Sequence, residues 1–247
     1  MNLVKCYTKE RFPQMNTLVQ MTVRLKDDVD KKEGYECNAQ LIRSFIGRNG
    51  KGLKERHYVS TFSYYTYCQM SPFEEDGIYK KGGFYNIGLK TIVEEFKDIR
   101  NFRGLETDKV ELIAASASKL YYEPKGKLKS VTPVYLKTEK IETPEYMDRV
   151  KEQVKENILF RYVTSNLNSN SNLDYLRKTV IKDIKINPKF ITIPFKSKKT
   201  ASGGHLLYQC VHVEVEFMDN EISKEVERVI YASGLGNLTS NGFGYME

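Results

Sequence analysis

Apolar and polar residues alternate along several short segments of the chain. Residues 19–25 alternate valine, methionine and leucine with glutamine, threonine and arginine, and residues 211–217 alternate valine and phenylalanine with histidine and glutamate. A period of two is the spacing of a half-buried strand. Residues 57–68 and 109–122 are rich in β-branched and aromatic side chains, which also favour strands. The pattern therefore predicts strands in both halves of the chain.

Other segments carry apolar residues at helical spacing, and each begins near a residue that can cap a helix. The predicted helices cover 39–46, 89–99, 147–158 and 222–230. Their predicted starts are Asn38, Asn86, Thr143 with Pro144 at the first helical position, and Asp219 or Asn220.

The first half of the chain thus has the order β-α-β-β-α-β, which is typical of a ferredoxin-like unit. The polar segment 123–130 is the expected boundary, and a second α/β unit of similar size follows it. We therefore expect an α+β protein of two tandem ferredoxin-like (RRM-like) domains with antiparallel sheets. The expected domains are 1–123 and 124–247.

The composition is that of a folded globular protein, with 40% hydrophobic and 12% aromatic residues among 247. No apolar run approaches the ~18–20 residues of a membrane span, and the first residues lack the apolar core of a signal peptide. The four cysteines include no CxxC pair, and no DxD or HExxH metal motif is present. We expect a cytoplasmic protein without a membrane association, a metal or another cofactor.

Basic residues outnumber acidic ones by 39 to 32, giving a net charge of +7. Residues 43–56 hold five basic residues and one acidic residue, and residues 177–199 hold eight and one. Such clusters can bind the phosphates of a polyanion. They can also be solvated strand edges, because lysines there discourage strand-to-strand aggregation.

The last fourteen residues, GLGNLTSNGFGYME, contain four glycines that follow a predicted helix. Glycine allows backbone conformations closed to other residues and lets backbone N–H groups approach a phosphate. A dinucleotide-binding turn is unlike this segment, because that turn opens a helix after a strand, and a P-loop is excluded by the lack of GK[ST]. A glycine-rich hairpin turn is the plainer interpretation.

This segment resembles the C-terminal glycine-rich signature of the Cas6 family of CRISPR repeat-processing endoribonucleases, within the RAMP superfamily. The segments TPVYLK (132–137), ENILFRYV (156–163, including Asn157) and RVIYASGLG (228–236) are similar to the family's second domain in type and order. Family members are built from two ferredoxin-like domains, which agrees with the two halves inferred above.

The resemblance implies metal-independent cleavage of precursor CRISPR RNA within each repeat, by attack of a 2′-hydroxyl that leaves a 2′,3′-cyclic phosphate. It also implies that the cut RNA stays bound. The alternative is a non-catalytic RAMP subunit that only holds the crRNA. A third hypothesis, from a different class, is an unrelated nucleotide- or small-molecule-binding α/β protein. Expected partners are CRISPR repeat RNA and other effector-complex subunits, with the protein a monomer or a homodimer.

Such a reaction needs a base, an acid and cations near the phosphate. His57 is the candidate base or acid, since histidine titrates near pH 6.5 and family enzymes use a histidine near this point of the chain. Lys51 and Lys54 are candidates to stabilise the charged intermediate, and Tyr35 to orient a reacting group. A surface histidine at a strand edge and solvated lysines are the alternatives.

The candidate RNA-binding residues come from the two basic clusters, from the last helix and from the glycine-rich segment. They are Arg48, Arg56, Lys182, Lys185, Lys196, Lys198, Lys199, Arg228, Gly234, Gly236, Gly242 and Gly244. His205 and His212 are expected to have structural or solvent-exposed roles.

Overall fold

The computed structural model describes residues 16–48, 63–137, 145–165, 172–196 and 205–247. Its N-terminal strands and helix are β1 (Thr17–Leu25), β2 (Val29–Asp30), α1 (Gly34–Arg48), β3 (Tyr65–Tyr67), β4 (Ile78–Tyr79), β5 (Phe84–Thr91) and β6 (Val110–Lys119). The C-terminal ones are β7 (Lys127–Lys129), β8 (Val134–Tyr135), α2 (Glu145–Ser165), α3 (Leu173–Thr179), β9 (Ile181–Ile186), β10 (Ile191–Lys196), β11 (His205–Val211), β12 (Val213–Phe217) and α4 (Glu221–Ser233).

The N-terminal sheet has the strand order β3-β5-β1-β6, with every neighbouring pair antiparallel. The strand predicted over 19–25 is confirmed, and Met21 pairs with Ile87 on one side and Ala115 on the other. Its inward residues and the apolar stripe of α1 form the first core, because alternate strand residues share one face. This order, with α1 between β1 and β3, is that of a ferredoxin-like unit.

The helix predicted over 89–99 is wrong. Asn86 lies inside β5 opposite Thr22, so it caps nothing. Two 3₁₀ turns, Glu94–Lys97 and Ile99–Phe102, follow the strand instead. The apolar residues at helical spacing are divided between the sheet and these turns. Helix α1 likewise begins at Gly34, one turn before the predicted cap, Asn38, which is buried inside it.

The C-terminal half repeats the arrangement. Strand β12 lies between β7 and β9, and the last residues of the chain form a further edge beside β7, where Ser130 pairs with Met246. Helices α2 and α4 supply the second core with the inward residues of β12. The spatial order is again that of a ferredoxin-like unit, and every sheet pairing among the described residues is antiparallel. A doubly wound nucleotide-binding fold would need parallel strands.

The β stretches predicted over 180–195 and 205–218 are each divided into two strands. Strands β9 and β12 belong to the second ferredoxin-like sheet, whereas β10 and β11 form a separate hairpin that β8 extends. Ile193, Phe195 and Cys210 of this hairpin are buried in the first core, as is Phe243 from the glycine-rich segment. The two halves of the chain therefore share a packed interface.

The connection between the halves is fixed by a buried carboxylate. Glu227 of α4 accepts hydrogen bonds from the Tyr122 hydroxyl at 2.6 Å and from the backbone N–H groups of Lys125 and Gly126 at 2.9 and 3.0 Å. The Tyr122 ring also stacks on Tyr231 at 3.7 Å. These contacts of Glu227 and Tyr122 lie at the predicted boundary after residue 123. The limits of the two domains stay a prediction. Within the described ranges, no helix has the length and apolar character needed to cross a membrane.

Candidate nucleic-acid interface

The glycine-rich segment leaves the end of α4, turns back through a short 3₁₀ turn at Thr239–Asn241 and returns as the edge strand beside β7. Gly242 and Gly244 have φ values of +82° and +67°, which side chains disfavour. A Cβ atom at Gly242 would lie 2.6 Å from the Tyr67 ring, and one at Gly244 would overlap the carbonyl oxygen of Leu235. The segment is therefore a tightly packed loop, which we call the glycine-rich loop (residues 234–245).

The N–H groups of the four loop glycines all donate to acceptors within the protein. Because each already has an acceptor, the glycines shape the loop, and their predicted contact with RNA stays a prediction. The four hydrogen bonds run from Gly234 to the Ile230 carbonyl (2.9 Å), from Gly236 to Asn157 Oδ1 (2.8 Å), from Gly242 to the Thr239 carbonyl (3.0 Å) and from Gly244 to the Pro133 carbonyl (2.9 Å).

A buried arginine of α2 fixes the loop by donating hydrogen bonds to a backbone carbonyl group of the loop and to that of the residue before it. Arg161 of α2 is 1% exposed, and its guanidinium donates to the Ser233 carbonyl at 3.2 Å and the Gly236 carbonyl at 2.5 Å. Its Nε donates to Asn157 Oδ1 at 3.1 Å. Burial lowers the pKa of Arg161 to about 9, so the group is still charged at neutral pH. Ser233 ends α4, and a cation is favourable at the negative end of a helix dipole.

Aromatic residues of the N-terminal unit hold the loop from the other side. The Tyr67 hydroxyl donates to the Ser240 carbonyl at 2.9 Å, and the Tyr35 ring stacks on Phe243 with centroids 5.4 Å apart. Burial raises the pKa of Tyr35 to about 12, so this phenol stays protonated at neutral pH. Tyr35 therefore packs on the loop, and its proposed role in orienting a reacting group stays a prediction.

Helix α1 connects this contact to the segment that contains the candidate catalytic residues. Tyr35 lies in the first turn, and Arg48 ends the helix about 20 Å away. The predicted residues His57, Lys51, Lys54 and Arg56 come next in the chain and lie outside the described residues. The Arg48 guanidinium donates to the carbonyls of Arg103 and Gly104, both at 2.9 Å, so it anchors the helix end.

The lysines of the second basic cluster are partly neutralised. Lys185 Nζ lies 2.7 Å from Glu216 and 3.6 Å from Glu214, and Lys182 Nζ lies 3.9 Å from Glu216. These contacts form because residues on adjacent antiparallel strands share a face of the sheet. The net charge counted along residues 177–199 therefore overstates the positive charge presented by this face. The Lys196 side chain and residues Lys198 and Lys199 lie outside the described part of the chain.

Two further basic residues lie near the loop or on its preceding helix. Arg43 is exposed on α1. Burial raises the pKa of Tyr67, whose hydroxyl donates to the loop, and the positive charge of Arg43 partly offsets that rise. Arg228 of α4 is half-buried, and its Nε has no hydrogen-bond partner within the described residues. Arg43 is thus an exposed cation of α1 whose charge acts on Tyr67, whereas Arg228 remains a candidate.

No protein-family model matches the sequence, and no curated protein matches it. Solved structures do match, and the three named next each align over 94% of this chain and 98% of their own. The CRISPR-associated protein Cas6 is 17% identical to this chain, with a TM-score of 0.58. A Cas6-related protein from Pyrococcus furiosus is 14% identical, with a TM-score of 0.60. A RAMP protein described as binding different RNA substrates is 13% identical, with a TM-score of 0.64.

The chain has a Cas6-like fold. At these identities the likeness shows the fold alone, and the expected two tandem ferredoxin-like units with antiparallel sheets are confirmed. In this Cas6-like fold the glycine-rich loop lies where the two units meet, between α2 on one side and α1 with β3 on the other.

The sequence interpretation missed the residues that place this loop. Arg161 was not singled out, although it lies in the segment 156–163 that resembles the family and is spaced i, i+4 from Asn157. That spacing puts both side chains on one helix face. Nothing in a single sequence says that an arginine on an apolar helix face will be buried against loop carbonyls. His212, which was expected to be structural or exposed, is half-buried with Nδ1 3.1 Å from both the Ser130 hydroxyl and the Ser130 carbonyl oxygen.

Proposed function

We propose that this protein is an endoribonuclease that processes precursor CRISPR RNA by cutting within the repeat, and that it keeps the cut RNA bound. The observation that carries the proposal is the Cas6-like fold over 94% of the chain, with the glycine-rich loop at the meeting of its two units. One similar structure is described as a Cas6 product complex, and another as Cse3 bound to an RNA that represents a pre-cleavage complex.

The proposed reaction is an internal transfer at phosphorus. A base removes the proton of the 2′-hydroxyl, and the 2′-oxygen bonds to the adjacent phosphorus. The bond from phosphorus to the 5′-oxygen breaks, and an acid gives that oxygen a proton. The products are a 2′,3′-cyclic phosphate and a free 5′-hydroxyl. We assign His57 as the base or the acid, and Lys51 and Lys54 as the cations that stabilise the charge on the phosphorane.

The order of residues along the chain supports this assignment. In the sequence, residues 49–62 lie between α1 and β3, and Tyr67 of β3 donates a hydrogen bond to the glycine-rich loop. A histidine can transfer a proton and lysines can stabilise the phosphorane charge without a metal ion, so we propose metal-independent cleavage.

A non-catalytic RNA-holding subunit is the second candidate. It is favoured by the similarity, at a TM-score of 0.64, to the RAMP protein that is described as binding different RNA substrates. In this case the fold would hold the crRNA for other subunits of an effector complex. The RNA would stay uncut both in the wild type and in a His57 variant.

The deciding experiment incubates the protein in EDTA with a synthetic repeat RNA taken from the organism's own CRISPR array, and maps the product ends. We expect one cut that leaves a cyclic phosphate, and a loss of at least ~100-fold in the cleavage rate in His57→Ala. The matched control is His212→Asn, which puts an amide in place of the imidazole near Ser130 and is expected to cleave like the wild type.

Each outcome decides between the candidates. Cleavage that survives His57→Ala keeps the nuclease and removes the assigned residue. Tight binding without a cut favours the RNA-holding subunit, and loss of cleavage on adding EDTA contradicts the metal-independent mechanism. A protein that neither binds nor cuts the repeat is not a CRISPR RNA-processing protein.

A further inference from the structure

A groove of about 310 Å³ lies on the second ferredoxin-like unit, against the outer side of the glycine-rich loop. This volume is at the lower end of the range that ligand sites occupy, about 300–1,000 Å³. One wall is a face of α2, and the other is the chain after β8 together with the loop. The polar and aromatic residues that line it are Lys137, Gln153, Glu156, Asn157, Phe160 and Asn237.

Two amide side chains of the groove have fixed orientations. Asn157 Oδ1 accepts from the Gly236 N–H at 2.8 Å, and Asn237 Oδ1 accepts from the Lys137 N–H at 3.1 Å. A backbone N–H can only donate, so both oxygens are committed as acceptors. The NH₂ group is the part of each amide that remains for a ligand, and neither has a hydrogen-bond partner among the described residues. The groove therefore offers donors to whatever occupies it.

The other lining residues define the ligand further. Lys137 adds a cation, whereas the Glu156 carboxylate is held by Arg177 through bonds of 2.8 and 3.0 Å, so its charge is balanced. Phe160 contributes an aromatic ring and is 45% exposed. Aromatic rings stack on single-stranded bases irrespective of sequence, and hydrogen bonds to base edges supply discrimination.

We propose that this groove binds one unpaired nucleotide of RNA whose base is uracil or guanine. The base stacks on Phe160, and its carbonyl oxygen accepts from the Asn157 or Asn237 amide. Uracil O4 and guanine O6 are acceptors at positions where cytosine and adenine carry amino donors, which would face the amide NH₂ groups unfavourably. Lys137 neutralises the adjoining phosphate. This subsite rests on the proposed RNA-binding function and adds a base preference to it.

Continuity with the glycine-rich loop supports an RNA occupant. Asn157 binds the loop N–H of Gly236 while lining the groove, and Asn237 is itself a loop residue. A nucleotide in the groove therefore lies directly beside the loop, at the point where Arg161 fixes it.

The test measures binding of two single-stranded RNA decamers by fluorescence anisotropy at one fixed salt concentration. One decamer is all adenosine, and the other has a single central uridine. We expect the wild type to bind the uridine decamer more tightly, and Phe160→Ala to weaken that binding about 5- to 100-fold and to remove the preference. The matched control is Phe84→Ala, since Phe84 is a 57% exposed aromatic on β5 of the other unit.

A second readout does not depend on the variants. A decamer carrying 4-thiouridine is irradiated with the wild-type protein, and the crosslinked tryptic peptide is identified by mass spectrometry. We expect the peptide 156–161, which contains Phe160. A crosslink elsewhere, equal affinity for the two decamers, or no decamer binding overturns the subsite. If repeat RNA still binds, the proposed function stands without it, and if neither RNA binds, both proposals fail.

Discussion

Three buried charged side chains fix the glycine-rich loop, the connecting segment and a contact between the two units. Arg161 binds loop carbonyls, Glu227 clamps the connecting segment, and Lys90 crosses from the N-terminal sheet to the C-terminal strand. Each has backbone partners, which offset the cost of removing a charge from water. Removing such a side chain leaves its partners buried without a hydrogen bond, which is usually more costly than the bond itself is worth.

Lys90 makes stability depend on pH. It is 2% exposed, with Nζ 2.8 Å from the Met246 carbonyl and 3.5 Å from the Tyr231 ring centroid, and burial lowers its pKa to about 7. The unfolded chain keeps this proton up to pH ~10.4, so it binds more protons than the folded state between these pH values. Stability therefore rises with pH through this window, by about 2 kcal/mol from pH 7 to 9.

The measurement is urea unfolding of the wild type and Lys90→Met at pH 7 and pH 9. Subtracting the two curves removes the titration of every other group, and the difference should grow in favour of the wild type at pH 9. Lys129→Met, which removes an exposed lysine from β7, should show no such trend. Parallel curves for the wild type and Lys90→Met would contradict the assigned pKa.

At the scale of elements, the glycine-rich loop depends on close backbone approach more than on flexibility. Gly244→Ala would place a methyl group on the Leu235 carbonyl and strain a φ of +67°. We expect a loss of about 3–5 kcal/mol in the free energy of unfolding, measured by urea titration.

A matched glycine separates the two causes of this loss. Gly77 has a similar φ of +76°, but a Cβ there meets nothing within 4 Å. Gly77→Ala should therefore cost only the backbone strain, about 1–2 kcal/mol. Equal losses in the two variants would show that the contact with Leu235 is not what makes glycine necessary.

Elements whose apolar residues follow one period were predictable from the sequence. A segment whose apolar residues are shared between a strand and a turn was not. The alternation over 19–25 identified β1, because one face of that strand is buried and the other is not. The segment 89–99 has apolar residues at helical spacing, yet Leu89 belongs to a strand and Phe96 to a 3₁₀ turn. Phe96 stacks near Phe45 of α1 at 5.0 Å, so tertiary packing, rather than a helix, satisfies these positions.

At the scale of the whole molecule, charge counted along the sequence differs from charge presented to a ligand. Glu216 lies beside Lys182 and Lys185, and its ion pairs lower the positive potential of this sheet face. If RNA contacts the face, Glu216→Gln should strengthen binding of repeat RNA about two- to fivefold at 50 mM salt. It should also make the salt dependence steeper, because more counterions are released.

The comparison variant is Glu221→Gln, which removes an exposed carboxylate paired with Lys224 at 3.0 Å on α4. Both variants change the net charge equally. An equal gain in affinity would reflect net charge alone and would argue against RNA contact at the β9–β12 face, whereas a gain confined to Glu216→Gln supports it.

The sequence by itself determined the class of this fold. Period-two strands, amphipathic helices and a glycine-rich end are local properties. Their order predicts a β-α-β-β-α-β unit in the first half of the chain and a second α/β unit after it. The tertiary structure alone decided that Gly236 donates to Asn157, that Arg161 donates to the carbonyls of Ser233 and Gly236, and that lysines of β9 are paired with glutamates of β12. These contacts join residues about 30 to 80 positions apart, and one chain carries no signal for pairs that only folding brings together.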